Sequence, residues 1–166
     1  MAAGGIRDHV GGGFHRYAVE PSWSVPHFEK MLYDNAQLLA LYARAWRLDG
    51  KPAWREAALG IAAHLARDMQ ATEGGFFTAL DSGVGGGEGQ PYLWRREEIG
   101  RLLGSAQAAR FFAHYELRPV VSREPSDALA EEAGVLRRRV PAGAPAPEQR
   151  ALLDRLLAER MKRPQP

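Results

Sequence analysis

The chain has 166 residues, 45% apolar and 25% charged, with a net charge of +2 and no cysteine. This is the composition of a globular protein of one domain's length; it excludes disulfides, thiolate metal sites and thiol nucleophiles, and no run approaches the ~18 apolar residues of a membrane span. Met1–Gly5 has neither the basic start nor the apolar core of a secretory leader, so a cytoplasmic location is expected.

Gly11, Gly12 and Gly13 break any regular element, and Phe14–Val19 alternates enough for a short strand or extended loop. The spacing then predicts a helix from about Val25 to Leu48. Phe28, Met31, Leu32, Leu38, Leu39, Tyr42, Ala45 and Trp46 recur at steps of three and four, Ser24 can cap it, and Pro26 is tolerated in a first turn. On such a helix His27, Lys30, Asp34 and Gln37 form one polar flank, while Asn35 falls in the apolar arc and needs buried hydrogen-bond partners. Asp49-Gly50 supplies a left-handed end. A second helix is expected from about Pro52 to Gln70, burying Trp54, Ala57, Ala58, Ile61, Leu65 and Met69 against the first as an antiparallel hairpin.

Glu73-Gly74-Gly75 reads as a turn, Phe76–Asp81 as a strand, and Ser82–Gly89 as a glycine loop without the lysine–hydroxyl pair of a phosphate loop. Pro91–Trp94 is the expected strand partner of Phe76–Leu80. Short helices are expected at Arg96–Leu103, Ser105–His114 and Asp127–Glu132, a linker at Pro141–Pro147, and a last helix at Glu148–Lys162 through Leu152, Leu153, Leu156, Leu157 and Met161. Arg163–Pro166 is not expected to pack. The basic excess sits in this region: residues 118–166 carry 10 basic and 7 acidic side chains, against 12 and 13 in residues 1–117. The densest run, Arg137-Arg138-Arg139, lacks the interleaved aromatics of a nucleic-acid site and reads as solvated.

The densest chemistry lies in Gly11–Tyr17 and Pro26–Asn35. Imidazoles suit reversible proton transfer near neutrality, so His15 and His27 read as an acid–base pair. Each is also readable as a hydrogen-bonded wall residue that holds a loop. Arg16 can fork onto a carboxylate or sugar hydroxyl, or pair with Glu20 or Asp34. Lys30 and Asp34 have the i,i+4 spacing of an ordinary helical ion pair. Asp81, at a strand end beside a glycine loop, is a functional carboxylate or a turn cap. Tyr17, Trp23, Tyr33 and Trp94 can stack on sugar rings, with Trp94 the most core-like. His64 and His114 read as structural, and no histidine pair has helical zinc spacing, so neither metal nor cofactor is expected.

Four segments, GGIRDHVGGGFHRY, VPHFEKMLYDNAQLLALYARAW, EGGFFTALDS and PYLWRREEI, resemble successive motifs of the spermatogenesis-associated, thioredoxin-domain-containing family. The resemblance covers residues 4–100. It implies a mainly α fold, a partial (α/α)6 toroid of the six-hairpin glycosidase type with short β-hairpins on one rim, similar to N-acylglucosamine 2-epimerases. Residues 1–117 then supply part of the toroid and the pocket motifs, residues 118–147 an irregular segment and linker, and residues 148–166 an amphipathic helix and connector. The chain is then expected to be a fragment whose parent adds a thioredoxin-like domain and further hairpins, and to be inactive and marginally stable alone. At Asp81–Glu88 the chain departs from the family's more acidic loop, keeping mainly Asp81 and Glu88.

The implied function is that of a sugar isomerase or epimerase module acting on a small-molecule carbohydrate. His15, His27 and Asp34 would be catalytic; Arg16, Tyr17, Glu29, Lys30, Tyr33 and Asp81 would bind substrate. One alternative is glycoside hydrolysis by Asp34 and Asp81, which requires separations of ~5.5 or ~6.5–9.5 Å. Another is a non-catalytic scaffold attached to the thioredoxin-like domain. The enzyme readings share one premise, that these side chains gather around an internal hollow.

Overall fold

The structure, a computed structural model, describes residues 1–84, 87–120, 133–139 and 145–166. An N-terminal loop turns at Gly12 and Gly13, both with positive φ. It is tied by the Asp8 carboxylate, which accepts from the N–H groups of Val10 and Gly11. Strand β1 (Tyr17–Ala18) then pairs antiparallel with β2 (Pro26–His27). The loop between them is held by Glu20, whose carboxylate accepts from the N–H groups of Ser22, Ser24 and Val25.

The first helix starts later than its spacing predicts. β3 (Lys30–Met31) is extended, and α1 spans Leu32–Asp49. Val25 precedes a proline, which disfavours helical backbone, and the backbone from Ser24 to Lys30 is used for pairing. Arg16 N–H donates to Glu29 O, and Lys30 stands opposite Leu80 in β4 (Ala79–Leu80). Burial follows that geometry with period two: Ser24, Pro26, Phe28 and Lys30 are buried and the residues between them are half-buried. His27 and Lys30 therefore do not share a helical flank with Asp34 and Gln37. Asn35 meets the expectation of its arc: it accepts from Phe14 N–H (2.8 Å) and donates to the carbonyls of Phe14 and Met31 (3.0 Å each).

Gly50, at φ 66°, ends α1. The second helix, α2 (Pro52–His64), runs on into a π-helical turn at Leu65–Met69 and packs against α1 as a hairpin. The strand at residues 79–80 pairs with β3, not with Pro91–Trp94, because β3 presents its free edge just ahead of α1. β5 (Gly83–Val84) pairs with β6 (Gly87–Glu88). β7 (Trp94–Arg95) instead joins a three-stranded antiparallel sheet in the order β7-β9-β8, with β8 at Tyr115–Pro119 and β9 at Ala133–Arg138. β9 lies within the stretch read as irregular. Helices α3 (Arg96–Leu103) and α4 (Ser105–His114) have their expected bounds, and α5 spans Pro147–Arg160. Residues 127–132, expected to be helical, and 141–144 of the expected linker lie outside the described residues.

Of the described residues 46% are helical and 20% lie in small antiparallel sheets. This overturns the expected partial (α/α)6 toroid. One helical hairpin, α1–α2, buries Phe14, Tyr42, Ala57 and Ile61. The other three helices instead cover the β7-β9-β8 sheet around Trp94, Ile99, Phe111, Tyr115, Leu153 and Leu156. The toroid implied by the family resemblance needs successive helical hairpins, whereas the apolar faces of α3, α4 and α5 are covered by a sheet.

The basic C-terminal region also departs from its reading as a solvated tail. Glu116 faces Arg118 (3.2 Å), Arg139 (3.3 Å) and Arg137 (4.0 Å). Arg163 packs: its guanidinium lies 4.0 Å from the centroid of the Trp94 ring and donates to the carbonyls of Pro91 (3.0 Å) and Leu93 (2.7 Å). No helix is long and apolar enough to cross a membrane among the described residues.

Candidate functional site

The motif residues separate into two clusters on opposite sides of one backbone. The inner cluster centres on Asp8. Its carboxylate accepts from Lys30 Nζ at 2.7 Å and from one Arg160 nitrogen at 2.8 Å to each oxygen. All three groups are buried. Lys30 also donates to Gly12 O (2.9 Å), and the Tyr92 ring lies against both cations. Burial opposes the Asp8 charge, but Arg160 and Lys30 overcome it and hold the carboxyl well below its ordinary range. Burial brings the Lys30 ammonium down to about 8 even against the opposing pull of Asp8.

His15 belongs to this interior. Its Nδ1–H donates to the Phe28 carbonyl (2.9 Å), and its ring meets Phe28 and Tyr92 edge-on. Burial, with the Lys30 charge nearby, lowers its pKa to about 3, so it is neutral at pH 7. The cavity walled by Asp8, His9, His15 and Tyr92 measures about 10 Å³. That is the size of one water site, and it excludes a sugar.

The outer cluster faces solvent. His27 is bracketed by two carboxylates, Glu88 at 2.7 Å from Nδ1 and Glu29 at 3.2 Å from Nε2. The Tyr17 ring stacks on the His27 imidazole at 4.9 Å between centroids and is 49% exposed, so its far face is open. Arg16 donates to Glu29 (2.9 Å), and this bond holds the Glu29 carboxyl below its usual range. The Tyr33 hydroxyl and the Asp34 carboxylate act on the same guanidinium. Partial burial pushes Asp34 up, Arg16 opposing, and its Oδ2 has no hydrogen-bond partner.

Of the residues singled out from the sequence, Arg16, Tyr17, His27, Glu29, Tyr33 and Asp34 thus converge on the outer face. His15 and Lys30 lie inside. Asp81 accepts from the N–H and hydroxyl of Ser82 and caps its own loop. Sequence reasoning missed Asp8 and Arg160. Asp8 stands just before the glycine run, and a carboxylate there is a turn-capping signal. Arg160 left no signal, since its partner lies 152 residues away. Glu88 was noted only as a retained acid of the glycine loop. No group of three His, Cys, Asp or Glu side chains among the described residues is placed to hold a metal ion.

The outer cluster defines a class of surface: an ionisable, aromatic-backed polar wall carried on an α+β module. No family model matches the chain. It is 47% identical over 109 residues to human spermatogenesis-associated protein 20, and 46% identical over 109 residues to the rat protein of that name. Each match covers 62% of this chain and 14% of the relative. An uncharacterized protein of Caenorhabditis elegans is 40% identical over 114 residues, covering 63% of this chain and 15% of that protein. These similarities support the resemblance to the spermatogenesis-associated family; the chain spans about 14% of the length of the mammalian relatives.

Proposed function

We propose that the outer face is one wall of a site for a small carbohydrate, of the isomerase or epimerase kind, with His27 as its proton carrier. The observation that supports this reading is the accessible imidazole bracketed by Glu29 and Glu88 and backed by the open Tyr17 ring. With Nδ1 bonded to Glu88, His27 Nε2 takes the proton from the carbon next to a sugar carbonyl, leaving an enediol, and gives it back to carbon to complete the isomerisation, while the adjacent carboxylates steady the positive charge held in between. The Tyr17 face receives the C–H face of the sugar. Arg16 and Tyr33 offer donors to its hydroxyls, and Asp34, raised by partial burial, holds a proton more readily than an exposed carboxyl. His15 and Lys30 do not touch substrate in this scheme; they fix the backbone that carries the wall.

N-Acetylglucosamine titrated into the chain should shift the ring resonances of Tyr17 and His27 saturably, and Tyr17→Ala should weaken the effect. In the intact protein that carries this chain, His27→Gln should abolish solvent-deuterium incorporation at the epimerising carbon. No sugar-dependent shift, or undiminished exchange in His27→Gln, removes the reading. A non-catalytic scaffold is the second reading, favoured by the burial of His15, Lys30 and Asn35 and by the size of the cavity beside His15, about 10 Å³. It expects neither shift nor exchange.

A further inference from the structure

A cleft of about 390 Å³ lies between the Gln90–Leu93 turn, α3 and the Arg163–Pro164 tail, and shares no residue with either cluster. That volume is within the range of small-molecule sites, roughly 300–1,000 Å³. Its described walls carry three guanidinium groups, Arg95, Arg101 and Arg163, against one carboxylate, Glu98. Arg163 and Glu98 pair at 2.6 Å, and two further Arg163 donors go to the backbone carbonyls of Pro91 and Leu93. Among the described residues no carboxylate is ion-paired with the Arg95 or Arg101 guanidinium, and the Glu98 carboxylate meets Arg95 only at its backbone N–H (3.5 Å). The rest of the lining is largely apolar, with Leu93, Val84 and Pro164.

We propose that this cleft binds a small organic carboxylate with an apolar body. The planar fork of a guanidinium matches a carboxylate in two parallel hydrogen bonds, and Arg95 and Arg101 are the two forks of this lining without an ion-pair partner among the described residues. The apolar wall takes the hydrocarbon part, which a bare inorganic anion would leave uncovered. The Arg163–Glu98 pair sets the rim: it removes the one negative charge that would repel the ligand and pins the tail that closes one side.

Benzoate serves as probe in an amide-resonance titration of the chain, with benzamide and inorganic phosphate as comparisons. Benzoate should produce saturable shifts at Leu93, Arg95 and Arg101, with benzamide and phosphate each weaker by roughly tenfold or more, the worth of one charge-assisted contact or of the apolar burial. Arg101→Gln should weaken benzoate by a similar factor, and Arg101→Lys, which keeps the charge but loses the fork, by less. Arg101 is exposed, so both variants should keep the dispersed spectrum of the parent. Absence of saturation up to about 20 mM, where even millimolar binding is visible, overturns the proposal. So does equal binding of benzamide or of phosphate, or benzoate binding unchanged in a folded Arg101→Gln.

Discussion

Asp8→Asn tests the inner cluster most sharply. The substitution keeps the shape of the side chain and one accepting oxygen, and replaces the other oxygen, together with the negative charge, by an NH2 donor. Two cations, Lys30 at 0% exposure and Arg160 at 3%, would then face one another in the interior with the carboxylate gone. Removing one partner of a buried ion pair typically costs ~3–5 kcal/mol, because the other charge is left uncompensated. Arg160 cannot shed its proton. Lys30 can: burial already brings it to about 8, and Asp8 is the opposing pull that keeps it from falling further. Its deprotonation relieves part of the penalty, so the expected loss at neutral pH is about 3 kcal/mol, the low end of that range.

The pH dependence gives this expectation a second signature. A lysine whose folded pKa lies below its unfolded value binds fewer protons in the folded state between the two. Stability therefore rises with pH across that window. In the native chain the window runs from about 8 to the ordinary 10.5. In Asp8→Asn it opens lower, so the lysine part of the deficit should shrink as pH rises toward 8 and be gone above it, leaving the Arg160 part. Urea unfolding followed by circular dichroism at neutral and mildly alkaline pH, with the slope unchanged between variants, measures both. A loss below about 1 kcal/mol, the scale of an exposed ion pair, or a deficit that widens with pH, would refute the reasoning.

Acid should destabilise the fold before its carboxylates titrate. Burial lowers His9 and His15 to about 3, so as pH falls below ~6.5 the unfolded chain takes up their protons first, and stability present above that value is lost. Between pH ~7.5 and ~5.5 the two together cost about 3 kcal/mol, readable as a falling urea midpoint; a flat profile would count against their buried neutral state. Gly12→Ala should destabilise by ~2–4 kcal/mol, since φ is +79° and the new methyl would overlap the Gly60 carbonyl oxygen. Gly100→Ala, inside α3 with open space around it, should stabilise by ~0.5–1 kcal/mol; melting curves for the pair should move in opposite directions.

Elements whose stability is local were legible in the sequence. The hairpin α1–α2, its Gly50 end, the bounds of α3 and α4, and the buried amide of Asn35 all follow from spacing and capping within a few turns. The start of α1 was not legible, because Phe28, Met31 and Leu32 satisfy helical spacing while Ser24, Pro26, Phe28 and Lys30 satisfy strand spacing. The second pattern was hidden by a lysine at an inward position. Lys30 is inward only because Asp8 is there to receive it, a contact spanning 22 residues. The same holds for β7, whose partner β9 enters from 40 residues on, and for Arg160. The candidate site was legible in its residue types and not in its sidedness, for the same reason.

That sidedness explains why one short stretch holds so many titratable groups. In an extended segment adjacent side chains point to opposite faces. The run 27–30 therefore sends His27 and Glu29 outward and Phe28 and Lys30 inward. Each outward group is fixed through its inward neighbour. The Phe28 carbonyl, beside His27 and Glu29 in the chain, is bonded by His15, and the Lys30 ammonium is bonded by Asp8. The Glu29 carbonyl accepts from Arg16 N–H, so the two extended segments that carry Arg16 and Glu29 are also locked by backbone. Arg160 reaches into this arrangement from the end of α5 and fixes Asp8 itself. The position of His27 between its two carboxylates is thus set by a chain of buried contacts that ends on α5, far along the sequence and without any contact to the outer face. A polar wall on short strands of two residues each would otherwise be loose. The interior charges supply the rigidity that strands this short cannot.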